Sequence, residues 1–90
     1  MVQYHILVSG RVQGVGFRYF VQMEALSKHI TGWVKNLNNG SVEIMAVQSK
    51  QILTTFIEDL KKGNHFAAVH QIDLTEQQPL ESFSSFNIVY

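Results

Sequence analysis

Positions alternate along residues 2–8, with Tyr4, Ile6 and Val8 on one face and His5 and Leu7 on the other, and a period of two predicts a β-strand. Three glycines then crowd into Gly10-Arg11-Val12-Gln13-Gly14-Val15-Gly16. Such density predicts unusual backbone angles and a close approach of main chain to something else. From Phe17 the period becomes helical: Tyr19, Met23, Leu26 and Ile30 form an apolar stripe with Phe20 beside it, and Gly32 is the expected residue closing the helix. Residues 33–37 and 41–47 read as two strands joined at Asn38-Asn39-Gly40, because Asn and Gly accept the positive φ of tight hairpin turns. Ser49 is a candidate cap for a second helix, whose buried face is Ile52, Leu53, Phe56, Ile57 and Leu60. Lys61 and Lys62 suit the negative end of its dipole, and Gly63 suits its termination. Residues 67–74 predict a fourth strand, 75–81 a polar loop, and 83–90 a fifth strand.

The order β-α-β-β-α-β plus a C-terminal strand predicts an α+β, ferredoxin-like split βαβ sandwich, an antiparallel sheet with two helices on one face. The 90 residues are expected to form a single domain, and no internal repeat or low-complexity tract interrupts them. Hydrophobic residues make up 46% of the chain and charged residues 16%, a balance that supports a core and argues against disorder. Seven Lys and Arg balance seven Asp and Glu, so neither a nucleic acid nor an anionic membrane is an expected partner. Trp33, Phe66 and Phe83 lack the basic surround that base stacking needs. With no cysteine, disulfides, thiolate catalysis and thiolate zinc sites are removed together. His5, His29, His65 and His70 have no zinc-site spacing, so no metal is expected. The N-terminus lacks a basic region and a sufficient apolar run for a signal peptide, which makes a soluble, cytoplasmic protein the expectation.

The chemistry centres on the glycine loop. It precedes a helix N-terminus, where free N–H groups and the positive end of the dipole suit an anion such as phosphate. Arg18 opens that helix, and its guanidinium is a planar donor fork matched to phosphate oxygens. No Gly-Lys-Ser/Thr follows, and a third glycine is lacking at Tyr19, so the loop is neither a Walker A motif nor a dinucleotide fingerprint. Taken alone, it reads equally as an oxyanion cradle or as a tight strand–helix connection.

The stretch Gly10-Arg11-Val12-Gln13-Gly14-Val15-Gly16-Phe17-Arg18 resembles the first signature of the acylphosphatase family. Gly32-Trp33-Val34-Lys35-Asn36-Leu37-Asn38-Asn39-Gly40-Ser41-Val42 resembles its second, in the family's order and spacing, and the likeness spans essentially the whole chain. The resemblance implies hydrolysis of the carboxyl–phosphate anhydride of acyl phosphates, without metal or organic cofactor. It implies that Arg18 grips the phosphoryl group and that the main-chain amides of Gln13, Gly14, Val15, Gly16, Phe17 and Arg18 cradle it. Asn36 would hold the attacking water. The implied partners are a small acyl phosphate and inorganic phosphate as product and inhibitor, acting on a monomer. Three positions depart from the family pattern: Gln48 where glycine is usual, Asn64 where proline is common, and Val89 where a basic residue is frequent. None touches Arg18 or Asn36.

No Ser/His/Asp order fits around the loop, which argues against a covalent phosphoenzyme. No Asp, Glu or His lies in the loop or between Arg18 and Glu24, so no general acid is apparent. Two other classes share this topology: an RNA-binding sheet, which needs aromatic-rich strands and positive excess, and an anion-sensing domain without turnover. The presence of both Arg18 and Asn36 favours the enzyme.

Overall fold

The computed structural model describes residues 1–79 and 82–90. Its elements are β1 (Val2–Arg11), α1 (Phe17–Ser27), β2 (Thr31–Asn36), β3 (Val42–Gln48), α2 (Lys50–Lys62), β4 (Ala68–Gln77) and β5 (Phe86–Val89). The five strands form one sheet in the order β4-β1-β3-β2-β5. β1 is antiparallel to β3 and β4, and β2 is antiparallel to β3, as the split βαβ reading requires. β5 differs. Starting from the opposite edge of the sheet after β4, it runs parallel to β2, with Val34 opposite Ile88 and Lys35 opposite Val89, so the sheet is mixed.

Alternation on the strands sets the core. Tyr4, Ile6 and Val8 of β1 and Val42, Ile44 and Ala46 of β3 all bury their side chains, joined by Val34 and Phe86. Against them α2 packs Leu53, Phe56, Ile57 and Leu60, the predicted stripe, while Ile52 is only partly buried. Each such burial contributes about 1.5–3 kcal/mol. Ser49 caps α2 by accepting from the Ile52 N–H at 3.4 Å, and the Gly63 N–H closes it on the Leu60 carbonyl.

The buried face of α1 is not the predicted one. Phe17, Val21 and Ala25 face the core, whereas Tyr19, Met23 and Leu26 are 61%, 47% and 43% exposed. The two stripes lie on nearly opposite sides of the helix. Helical spacing fits either stripe, and the small Ala25 and the branched Val21 suit the side packed on the sheet. Phe20, partly buried, packs at the core's edge and tilts against Phe17, their ring centroids 5.8 Å apart.

Gly32 does not close α1; it lies in β2. His29 does so at φ 57, with its N–H on the Leu26 carbonyl and the Ile30 N–H on the Ala25 carbonyl. This double closure is a Schellman turn, and it drops Ile30 into the core. Lys28, just before it, bridges Glu24 at 2.9 Å and Asp59 of α2 at 2.7 Å. Burial disfavours its charge, but the two carboxylates outweigh that penalty and hold its pKa above the ordinary lysine value.

β4 outruns its predicted end, because pairing with β1 continues to Gln3 opposite Gln77 and draws Thr75, Glu76 and Gln77 into the sheet. Of the predicted 75–81 loop, Leu80 and Glu81 lie outside the described residues. β5 is shorter than expected, since residues 83–85 precede the pairing with β2.

Candidate active site

β1 ends in a bulge against β4 between Ser9 and Gly10. Gly10 stands at φ 129, and a Cβ there would lie 2.2 Å from the Ala68 carbonyl oxygen, so only glycine fits. Val12 then plugs into the core, 1% exposed, and the chain turns through Gly14 and Gly16 at φ 71 and 76 into α1. Gly16 is the N-cap and offers no side chain, which leaves the first N–H groups of α1 open to a ligand.

Two side-chain amides pin this loop. Gln13 Nε2 donates to the carbonyls of Leu37 at 2.8 Å and Ser41 at 2.9 Å, which fastens the loop to the mouth of the β2–β3 hairpin. On the other flank, Asn64 Nδ2 donates to the Val15 carbonyl at 2.8 Å. The predicted hairpin is present: the Leu37 N–H meets the Ser41 carbonyl, the Gly40 N–H meets Leu37, and Gly40 has φ 92.

Asn36 is the last residue of β2, immediately before that hairpin mouth. Its Oδ1 is buried and, alone among the buried side-chain oxygens and nitrogens of the described residues, has no hydrogen-bond partner. An unpaired buried acceptor costs about 1–3 kcal/mol, a cost tolerated where a ligand supplies the missing partner. Arg18, second residue of α1, holds its guanidinium 4.9 Å from the ring centre of Tyr90. Among the described residues no carboxylate pairs with it.

These pieces enclose one cleft of about 260 Å³, where Gly14, Gly16, Arg18 and Asn36 meet. Sequence reasoning named all four. Phe17 also lines the cleft, while Gln13 and Val15 sit in the loop beside it. Tyr19, Ile88 and Tyr90 form the rest of the wall together with Val12. Nothing local in the sequence points to Ile88 and Tyr90, because only the parallel pairing of β5 with β2 brings them to the side of Asn36. Tyr19 is legible in the sequence as part of the apolar stripe of α1, but its place on the cleft wall is not. Among the described residues Arg18 is the one on the wall with a charged side chain, and no Asp, Glu or His lies there.

A family model described as Acylphosphatase matches residues 4–88. The chain belongs to the acylphosphatase family. It is 52% identical over 90 residues to the acylphosphatase of Bacillus subtilis (strain 168), covering all of this chain and 99% of that protein. The crystal structure of acylphosphatase from Bacillus subtilis superposes with a TM-score of 0.97 over 100% of both chains. The structure of an acylphosphatase from Coxiella burnetii, 38% identical, gives 0.91 over 98% of this chain and 92% of that one. Such identity over the full length shows an acylphosphatase enzyme with the ferredoxin-like fold. Among the described residues no three His, Asp or Glu side chains gather as metal ligands. No helix is long and apolar enough to cross a membrane.

The acylphosphatase departures are built into the structure. Gln48 Nε2 donates to the His29 carbonyl at 2.8 Å and its Oε1 accepts from the Ser49 N–H at 2.8 Å, so it braces the left-handed turn that closes α1. Asn64 holds the loop, as above. Val89 lies by Trp33 and Lys35, away from the cleft.

Proposed function

We propose that this acylphosphatase hydrolyses its acyl phosphate by direct attack of water on phosphorus. Arg18 and the main-chain amides of Gln13, Gly14, Val15, Gly16, Phe17 and Arg18 hold the phosphoryl oxygens, where charge must be stabilised as the reaction proceeds. Asn36 holds the water; its χ2 torsion is broad and can turn either amide atom toward the cleft. The new bond joins the water oxygen to phosphorus. The bond from phosphorus to the acyl oxygen breaks, and its electron pair leaves on the carboxylate. An amide is not a base, so the water's proton passes to a phosphoryl oxygen. The products are a carboxylate and inorganic phosphate, which competes with substrate for the same cradle.

The observation that carries this reading is the composition of the cleft: one unpaired guanidinium, a glycine loop at a helix start, and an amide with an unsatisfied oxygen. Among the described residues its wall offers no serine, cysteine, histidine, aspartate or glutamate side chain to take the phosphoryl group covalently. A carboxylate leaves without protonation, since its conjugate acid has a pKa of about 4. The proposed reaction needs no metal or organic cofactor. Hydrolysis of benzoyl phosphate in ¹⁸O-water with excess EDTA tests it. Undiminished turnover with the label in phosphate is expected; label in benzoate, or activity lost to EDTA, contradicts it.

A further inference from the structure

Val15 stands between two glycines of positive φ, so local sequence does little to hold the peptide plane joining Val15 to Gly16. That plane matters, because in a trans peptide the carbonyl and the N–H point in opposite directions. The Val15 carbonyl accepts from Asn64 Nδ2 at 2.8 Å. Asn64 Oδ1 in turn accepts from the Ala67 N–H at 2.8 Å, which fixes which end of the amide is nitrogen.

We propose that Asn64 is a positioning residue for phosphoryl binding: by drawing the Val15 carbonyl out of the cleft, it turns the Gly16 N–H into it. This role rests on residues 13–18 being the anion cradle, as proposed above. Without Asn64 the plane is free to rotate, and half a turn would set a carbonyl oxygen against the anion in place of a donor. The anchor itself is stiff, since Asn64 directly follows the Gly63 that closes α2 on the Leu60 carbonyl. A proline at this position, the residue common in the family pattern, has no side-chain donor, so the device belongs to this chain's own sequence.

Asn64→Ala and Asn64→Asp separate positioning from structure. The aspartate still accepts from the Ala67 N–H but cannot donate to Val15. Three readouts decide: benzoyl phosphate kinetics, inhibition by inorganic phosphate, and the shift of the Gly16 amide in ¹⁵N-labelled protein titrated with phosphate. Both variants should raise KM and the phosphate inhibition constant about tenfold, the scale of one hydrogen bond to a charged group. Their kcat should stay within about threefold, and the Gly16 amide should lose its response. The effect should persist in about 0.5 M salt, which screens any repulsion by the added carboxylate. Near wild-type KM, inhibition and Gly16 response in Asn64→Asp would mean that Asn64 serves only the 64–67 turn. A defect in Asn64→Asp that salt abolishes also overturns the role. A wild type that ignores phosphate would overturn the proposed function and this role together, whereas wild-type binding with unchanged variants overturns the role alone.

Discussion

The Gln13 side chain donates to the Leu37 carbonyl at 2.8 Å, the peptide group next to Asn36. One amide thus ties the glycine loop to the strand end that carries the proposed water-holding residue. Gln13→Ala would leave the Leu37 and Ser41 carbonyls with only their backbone donors, the Gly40 and Leu37 N–H groups. The loss of two ordinary hydrogen bonds should lower stability by about 1–3 kcal/mol. It should also reduce kcat/KM for benzoyl phosphate by at least about tenfold, since small misplacements of reacting groups are costly. Denaturant unfolding and steady-state kinetics check both; loss of stability with kcat/KM intact would show that the tie is structural only.

Asn36→Ala should depress kcat by about a hundredfold or more while leaving phosphate affinity near wild type, because water is positioned for reaction and not for product binding. Phosphate raises the melting temperature of a protein that binds it only when folded. That rise should survive in Asn36→Ala. Thermal scans with and without phosphate check it, and a lost rise would move Asn36 from holding water to holding phosphate.

With no Asp, Glu or His on the cleft wall among the described residues, none of their side chains there has the ordinary acidity to protonate a basic leaving group. An alkoxide needs such a proton, a role worth roughly 10²–10⁴ in rate. Benzoyl phosphate should therefore be cleaved rapidly, p-nitrophenyl phosphate slowly and glycerol phosphate essentially not at all. For benzoyl phosphate, kcat should be flat between about pH 5.5 and 8, with no histidine-like step near about 6.5. Efficient glycerol phosphate hydrolysis would point to a phenol, Tyr19 or Tyr90, acting as proton donor.

His29 holds a left-handed conformation that costs a side-chain-bearing residue about 1–2 kcal/mol. His29→Gly should stabilise the protein by about 1 kcal/mol, offset in part by the greater freedom of glycine in the unfolded chain. Since the turn lies outside the cleft, activity should not change. Equilibrium unfolding reads the gain; a loss would mean that the imidazole makes an interaction worth more than the strain.

The sequence pattern located both helices, the hairpin and all five strands, β5 with a shorter span, because each rests on local periodicity or turn chemistry. Ser49, the Asn38-Asn39-Gly40 turn and the α2 stripe all act within a few residues of themselves. What escaped it was long-range. The buried face of α1 depended on how closely the helix could approach the sheet, which favoured Val21 and Ala25 over Tyr19, Met23 and Leu26. The extension of β4 to Gln77 depended on β1 as its template. The same holds for the site. Arg18, Asn36 and the glycine loop were legible as motifs, but the ties made by Gln13 and Asn64, and the arrival of Tyr90 over Arg18, exist only once distant segments meet.

Arg18 carries the central claim. Its guanidinium is the one charged side chain on the cleft wall among the described residues, and losing a single oxyanion donor typically costs about 10²–10³ in rate. The direct measurement is kcat/KM for benzoyl phosphate in wild type, Arg18→Ala and Arg18→Lys, with the melting temperature of each taken with and without phosphate. The account predicts folded variants that lose at least about a hundredfold in activity, lysine included because an ammonium cannot reproduce the fork, and an alanine variant without phosphate protection. Either variant retaining activity within tenfold of wild type would contradict it.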